Sequence, residues 1–404
     1  MRIIGRMSGG GPPHQAAYLH KSLRTSFETI LVIGTIESHE RDMRYLLEDS
    51  EGIVEIPSMS RSVNIWSDLV SLFAIIRLLL RERPDVVHTH TPKAGMLGRV
   101  AAFLSGVPVR IHTYHGHGFR GYLGKVGSSA VIAVEWALNK LSTHIIAISE
   151  SQAHELTNLY CVVPAGKVTV IRNGIDLTGF ADPDKMRGEA RRLLDVESDD
   201  VLVVWAGRFT PIKNVPLLLE VAKRAARLPK VKFLVLGEGP MREAVIESAL
   251  RYRNLMYGGW QEDMKPIWAA ADIGLITSKN EGTPMSLIEA MAAGRPFVAT
   301  EVGGIVDLAV PPLILTETQC KQALNGFLTP DDPGAIVSCI QTLASSSDLV
   351  KRMGEQGRSF ALANFSEDRL AREITELYES LLSRSPLGER DRGFSVGVNK
   401  NIQG

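Results

Sequence analysis

The stretch IGLITSKNEGTPMSLIEAMAAGRPFVAT, residues 273–300, reads as a strand, a loop, a helix and a second strand in quick succession. Ile273 to Ile276 form a short apolar run that stops at polar residues, SLIEAMAAG is small, apolar and helical, and RPFVAT opens a new apolar run. A helix between two short strands marks parallel pairing, because antiparallel neighbours need only a tight turn. The same beat runs through the chain. VLVVWAG and KFLVLGEG precede the stretch as strands, with VPLLLEVAKRAARL and PMREAVIESALR as helices. In the first half TILVIG, DVVHTH, VRIHTY and IIAIS are the strands, and SDLVSLFAIIRLLLRE, with Leu69, Leu72, Phe73 and Ile76 at helical spacing, is a helix.

The fold class that follows is α/β, two doubly wound Rossmann-like domains whose ligands bind beyond the carboxyl ends of the strands. The first domain is expected over residues 1–170 and the second over 171–365, hinged at VTVIRNGIDLTGF by an Asn-Gly turn. A last helix over 366–383 carries Leu370, Ile374, Leu377 and Leu381 on one stripe and is expected to pack back toward the first domain. Residues 384–404 have no apolar period and are expected to be disordered.

A chain of 404 residues is too long for one ordinary core and suits two. At 45% hydrophobic and 22% charged it is in the globular range, and its zero net charge argues against a nucleic-acid partner held by bulk phosphate attraction. Cys161, Cys320 and Cys339 have neither disulfide nor zinc spacing, as expected of a cytoplasmic protein. The start, MRIIGRMSGGGPPH, lacks a signal-peptide core. LVSLFAIIRLLL and SSAVIAVEWAL are each broken by a charge and fall short of the roughly 20 residues a membrane span requires. The first 172 residues carry 18 Lys and Arg against 14 Asp and Glu, and all ten histidines lie at or before His154, so the halves are expected to meet different ligands.

Residues after the strands of the second half suit an anion and a sugar. GRFTPIKN places Gly207, Arg208 and Lys213 on one loop, where glycine lets a ligand approach the backbone and two cations suit a diphosphate. Solvated surface charges would look the same, as a plain tight turn would at Gly237 in GEGP. In EGTPMSLIE, Glu281, Gly282 and Thr283 lie on a loop and Pro284 suits a first helical turn. The N–H groups of Met285 and Ser286 then point out of a positive helix end, ready for an anion. Glu289 shares a face with Met285, one turn further on, at about 6 Å of axial rise, roughly the distance from a nucleotide's phosphate to its ribose diol. By spacing alone, Glu289 reads equally as an ordinary polar position on an Ala-rich helix.

GRFTPIKN followed by EGTPMSLIEAMAAGRPFVATEVGG resembles the nucleotide-binding half of the retaining glycosyltransferases of family 4, which have the GT-B fold, and the likeness extends to about residue 383. HTHTPKAGMLGR and HGHGFRGY are similar to the members that build capsule, O-antigen and exopolysaccharide. The resemblance implies that Arg208 and Lys213 neutralise a leaving diphosphate, Glu281 contacts the donor sugar and Glu289 binds the ribose. It places Trp260 and Gln261 beside the base, gives backbone N–H groups of the Gly10–Gly11 loop to the cleft, and picks out His115 as facing the sugar from the first domain. It implies no metal and no cofactor, with a nucleotide-diphosphate sugar, commonly of uridine, as donor substrate. A saccharide or a polyprenyl-diphosphate-linked saccharide would be the acceptor, approached at the inner face of the cell membrane. The segment VPPLILTETQCKQAL, 310–324, is longer than the family's usual connection.

Other classes fit parts of the sequence. His88, His90 and His115, with His112 and His117, cluster at two strand ends and invite a metal-dependent hydrolase, although no Asp or Glu accompanies them. A nucleotide-sugar epimerase of the same fold would need carboxylates at strand ends of the first domain. A non-catalytic sugar-nucleotide binder would keep the same groups without turnover. Lys93, Arg99, Arg120 and Lys125 are expected to make the first domain's cleft side basic and to attract an acidic lipid surface.

Overall fold

A computed structural model of the chain describes residues 1–37, 40–48, 51–62, 64–116, 125–180 and 184–385. The first sheet contains β1 (Arg2–Ile4), β2 (Leu31–Gly34), β3 (Ile53–Ile56), β4 (Val86–His90), β5 (Val109–Tyr114), β6 (His144–Ala147) and β7 (Val168–Val170). They run parallel in the order β3-β2-β1-β4-β5-β6-β7. The second sheet contains β8 (Val201–Ala206), β9 (Val231–Leu236), β10 (Leu255–Gly259), β11 (Ile273–Ile276), β12 (Phe297–Thr300), β13 (Ile314–Leu315), β14 (Lys321–Ala323) and β15 (Gly326–Thr329). Its order is β10-β9-β8-β11-β12-β15-β14-β13, antiparallel only at β13, β14 and β15. In both sheets the order reverses beside the first strand, between β1 and β4 and between β8 and β11. Loops on either side of such a switch part and leave a crevice.

Strands covered by helices on both faces are buried along their length, as β4, β11 and β12 are throughout. The edge strands β3, β7 and β10 gave no such signal, because each is half exposed and interrupted by polar or glycine residues. The long connection at 310–324 contains the whole β13–β14 hairpin, which extends the far edge of the second sheet; none of these residues lines the cleft.

Two segments cross between the sheets side by side. Ile175 N donates to Phe365 O at 2.9 Å, and Arg369 Nη2 donates to the carbonyls of Arg172 and Asn173 at 2.7 and 3.0 Å. Beyond this crossing the helix Glu367–Ser383, N-capped by Ser366, lays Leu370, Ile374 and Tyr378 against Leu19, Leu23 and Ile111 of the first sheet's layer. Residues 386–404, expected to be disordered, lie outside the described residues. The domains also touch directly, where Ser151 N and Oγ donate to the Asp307 carboxylate at 2.8 and 3.0 Å.

The Tyr378 hydroxyl reaches His88 Nδ1 at 2.6 Å in a dry part of this interface. Tyr378→Phe strands that ring nitrogen, and the expected loss is about 1–3 kcal/mol of stability, read as a lower urea midpoint at unchanged slope. An unchanged midpoint would show that the hydroxyl adds nothing.

Candidate active site

A cleft of about 670 Å³ opens between the carboxyl ends of the two sheets, and a second chamber of about 640 Å³ adjoins it. The residues that the family resemblance assigns to the donor and to catalysis all line the larger cleft, and His88, His90, His112 and Arg99 do not. Gly10, Gly11 and His115 come from the first domain; Gly207, Arg208, Lys213, Gly237, Trp260, Gln261 and the run from Glu281 to Ser286, with Glu289, come from the second. His115, Arg208, Lys213, Glu281 and Gly282 line both chambers, so they stand at the boundary between them.

The loops are shaped by close packing. Gly237 has a φ of 134°, and a Cβ there would collide with the carbonyl oxygen of Gly207, so glycine lets the loops after β8 and β9 lie against each other. Gly10 has a φ of 128° and starts the helix Gly11–Ser22, and a Cβ on Gly11 would come within 2.7 Å of Met285 Sδ across the cleft. The helix Met285–Ala292 follows Pro284, which offers it no side-chain cap. The N–H groups of Met285 and Ser286 therefore remain to receive an anion at a positive helix end.

Charges are paired unevenly around this end. Lys213 Nζ pairs with Glu281 Oε1, which also accepts from Ser278 Oγ at 2.6 Å. Both contacts fall on one carboxylate oxygen and leave Oε2 for another donor. Arg208 is exposed to the cleft and its guanidinium has no hydrogen-bond partner among the described residues. Glu289 Oε2 accepts from Trp268 Nε1 at 3.0 Å, and burial lifts its carboxyl from 4.5 to about 7, with the Trp268 bond opposing and Asp263 assisting.

The histidines divide sharply. His115 Nε2 and His90 Nδ1 are 2.9 Å apart, and burial lowers His115 to about 4, so at neutral pH it offers the cleft a neutral ring. His88 is buried with both ring nitrogens engaged, by Tyr378 OH and by Thr113 Oγ1 at 2.7 Å. His112 packs against Gly95 and meets Thr89 Oγ1 at 2.9 Å. No group of three His, Cys, Asp or Glu is arranged to hold a metal among the described residues, and His117 and Arg120 lie outside them. His88 and His112 bond to the protein itself, as buried polar groups require, whereas His90 Nε2 is buried with no partner among the described residues. Among the described residues no acid of the first domain lines the larger cleft; Glu135 and Glu155 line the second chamber, where Glu135 is held by Arg99 and Tyr114.

One expectation is corrected. Arg99 is 1% exposed, donating to Glu135 at 2.8 Å and Asn139 at 3.0 Å, so it adds nothing to the cleft. A guanidinium so buried needs paired partners, and those lie 36 and 40 residues away. Lys93 does line the cleft, joined by Arg6 and Arg61, which no motif marked. Asn173 of the Asn-Gly turn also lines it, with a buried Oδ1 that has no partner among the described residues. Trp268 likewise gave no signal, since only the folded chain brings it to Glu289. Gln261 turns its amide back onto Gly258 O at 2.7 Å, while Arg41 lies 5.1 Å over the Trp260 ring.

Residues 10–178 match the family described as Glycosyltransferase Family 4, and residues 200–346 match the one described as Glycosyl transferases group 1. The chain is 31% identical over 344 residues to the Escherichia coli UDP-Gal:alpha-D-GlcNAc-diphosphoundecaprenol alpha-1,3-galactosyltransferase, covering 82% of this chain and 84% of that one. This chain is a family 4 glycosyltransferase. The glycosyltransferase is also 27% identical to the Staphylococcus aureus capsular polysaccharide biosynthesis glycosyltransferase CapM, over 85% of this chain and 89% of that one. Its fold is GT-B: Anabaena HepE, solved with UDP and glucose, superposes with a TM-score of 0.75 at 18% identity over 94% of this chain and 99% of that chain.

The raised Glu289 carboxyl has a stability consequence. Between pH 4.5 and about 7 the folded glycosyltransferase holds this proton and the unfolded chain has lost it, so stability falls as pH rises through that window and stays lower above it. Glu289→Gln is expected to flatten this slope and to raise Tm at pH 8 by about 2–4 °C, while weakening nucleotide affinity. Thermal melts across pH with and without nucleotide check both, and a variant that binds nucleotide as the wild type does contradicts the ribose role.

Proposed function

We propose that this glycosyltransferase moves a hexose or N-acetylhexosamine from a nucleotide-diphosphate sugar, with uridine as the base, to a hydroxyl of a saccharide carried on a polyprenyl diphosphate. The reaction serves surface polysaccharide assembly and runs with retention. The observation that carries this reading is the position of His115, Arg208, Lys213 and Glu281 on the boundary of two chambers, one suited to each substrate. The names of the Escherichia coli and Staphylococcus aureus relatives favour a lipid-linked acceptor and capsule-type product, and UDP is named in the first and bound in the Anabaena structure. Arg61 and Lys93 on the first-domain side offer cations to a second anionic group, as an acceptor diphosphate would need.

In the proposed reaction the donor's ribose lies at Glu289, its base beside Trp260 and its diphosphate at Arg208, Lys213 and the N–H groups of Met285 and Ser286. The bond from the anomeric carbon to the diphosphate oxygen breaks, and its electron pair leaves with that oxygen. Cations and helix end stabilise the charge as it grows, the largest effect such fixed dipoles supply. The acceptor oxygen forms its bond on the same face, and its proton passes to the departing phosphate. Glu281 Oε2 holds sugar hydroxyls, and neutral His115 lines the opposite side of the sugar. The two cations and the helix end fill the part of a metal ion. A donor made in the cytoplasm and an acceptor embedded in lipid place the reaction at the inner membrane face.

The test is transfer from UDP-sugars with EDTA present. Arg208→Ala and Lys213→Ala should each lower turnover by about 10²–10³, and nucleotide release should require acceptor. Turnover unaffected by both substitutions, or abolished by EDTA, contradicts the mechanism. A nucleotide at 100 times its Kd should add about 2.7 kcal/mol of stability, and the one that does so names the base.

A further inference from the structure

The helix Ile65–Glu82 turns toward water a face that a globular protein normally covers. Trp66 and Phe73 are 79% and 67% exposed, and Leu69, Val70 and Leu80 are exposed along the same stripe at helical spacing. The opposite face, with Ile75, Leu78 and Leu79, is the one packed on the first sheet. The neighbouring helices Pro92–Leu104 and Lys125–Leu141 add Phe103 and Trp136, each about half exposed. Scattered apolar side chains need no explanation, but a stripe of five continued by two aromatics is a contact surface.

The charges on it indicate what it contacts. Arg77 lies in the stripe, Arg81 and Arg83 stand at its end, and Arg110 and Lys140 lie over the rings of Phe103 and Trp136 at 5.7 and 3.4 Å. The exposed acids Glu82 and Asp85 are outnumbered. Aromatic and aliphatic groups interleaved with arginine and lysine suit the headgroup layer of an anionic bilayer, with apolar parts below and cations at the phosphates. A second copy of the chain would set this row of cations against itself. Asp68, Arg77, Arg81 and Glu82 punctuate the helix, and no described helix is long and apolar enough to cross a membrane, so this one lies in the plane.

The stripe begins at the cleft. Arg61, four residues before Ile65, lines both chambers, and Lys93 ties the helix start to the cleft rim through Ser62 O and Asp68, each at 2.5 Å. A bilayer against Trp66 therefore brings its headgroups to the first-domain rim of the cleft.

We propose that Trp66, Leu69, Val70, Phe73 and Leu80, with Phe103 and Trp136, form the face that docks this enzyme on an anionic lipid bilayer. The docking opens the cleft to an acceptor carried there. That purpose rests on the proposed lipid-linked acceptor; the docking itself does not. The experiment floats the full-length protein on a density gradient with vesicles of phosphatidylcholine plus phosphatidylglycerol, or of phosphatidylcholine alone. The wild type rises with the anionic vesicles. Trp66→Ser combined with Phe73→Ser lowers vesicle partitioning by about tenfold or more, and Arg77→Glu lowers it for the anionic vesicles only. Both variants keep the wild-type Tm and the wild-type rate on a water-soluble saccharide acceptor, because these side chains touch neither chamber. Undiminished flotation of the double variant overturns the proposal. So does a wild type that ignores vesicles and sediments as a dimer the double variant dissociates. Vesicle binding without transfer to any lipid-linked saccharide would instead remove the acceptor reading and leave the docking face standing.

Discussion

Strand direction governs this molecule. In a parallel sheet every strand hands its following loop to the same edge, and every helix that starts there presents its positive end to that edge. Two such sheets with their carboxyl ends facing each other concentrate loops, N–H groups and cations in the space between. Gly10 and Gly11 follow β1, His115 follows β5, Arg208 and Lys213 follow β8, Trp260 follows β10, and Glu281 follows β11. Seven strands from one half and six parallel strands from the other thus converge on one cleft without any of these residues being near another domain's in sequence.

The cleft is an anion site held in partial balance. Arg6 and Arg208 repel each other, Arg6 leans on Glu40 at 3.3 Å, and Lys213 leans on Glu281. An arriving diphosphate competes for cations that are already near neutralised, and Arg208 is the one with no protein partner among those described. Glu289 carries the opposite tension. Its carboxylate is held by a single indole N–H in a poorly hydrated place, an arrangement that costs the empty protein stability and leaves an acceptor for ligand hydroxyls.

Local features made the architecture legible. Buried parallel strands read as apolar runs, and the glycine that follows β9, Gly237, is required by a backbone contact with the loop after β8. The spacing of Glu281 and Glu289 around Pro284 marked a loop and the first turn of a helix, and both carboxylates do line the cleft. Edge strands were less legible, because exposure breaks their apolar pattern. Arg6, Arg61, Asn173 and Trp268 reach the site only through tertiary contacts that no short window contains. Arg99 misled for the same reason, since its partners Glu135 and Asn139 lie on another helix. The apolar run that looked like an interrupted membrane span is a surface helix with one face on the sheet and one in water.

The helix Glu367–Ser383 belongs in space to the first sheet and in sequence to the end of the chain. Leu19, Leu23 and Ile111 are covered by Leu370, Ile374 and Tyr378, residues made some two hundred positions after Ile171 closes the rest of that cluster. At typical rates of synthesis the apolar face of the early domain stays uncovered on the ribosome for roughly 10–40 s. The half made first is therefore the half finished last, and a chain cut short anywhere in the second domain leaves a sticky, incomplete first one.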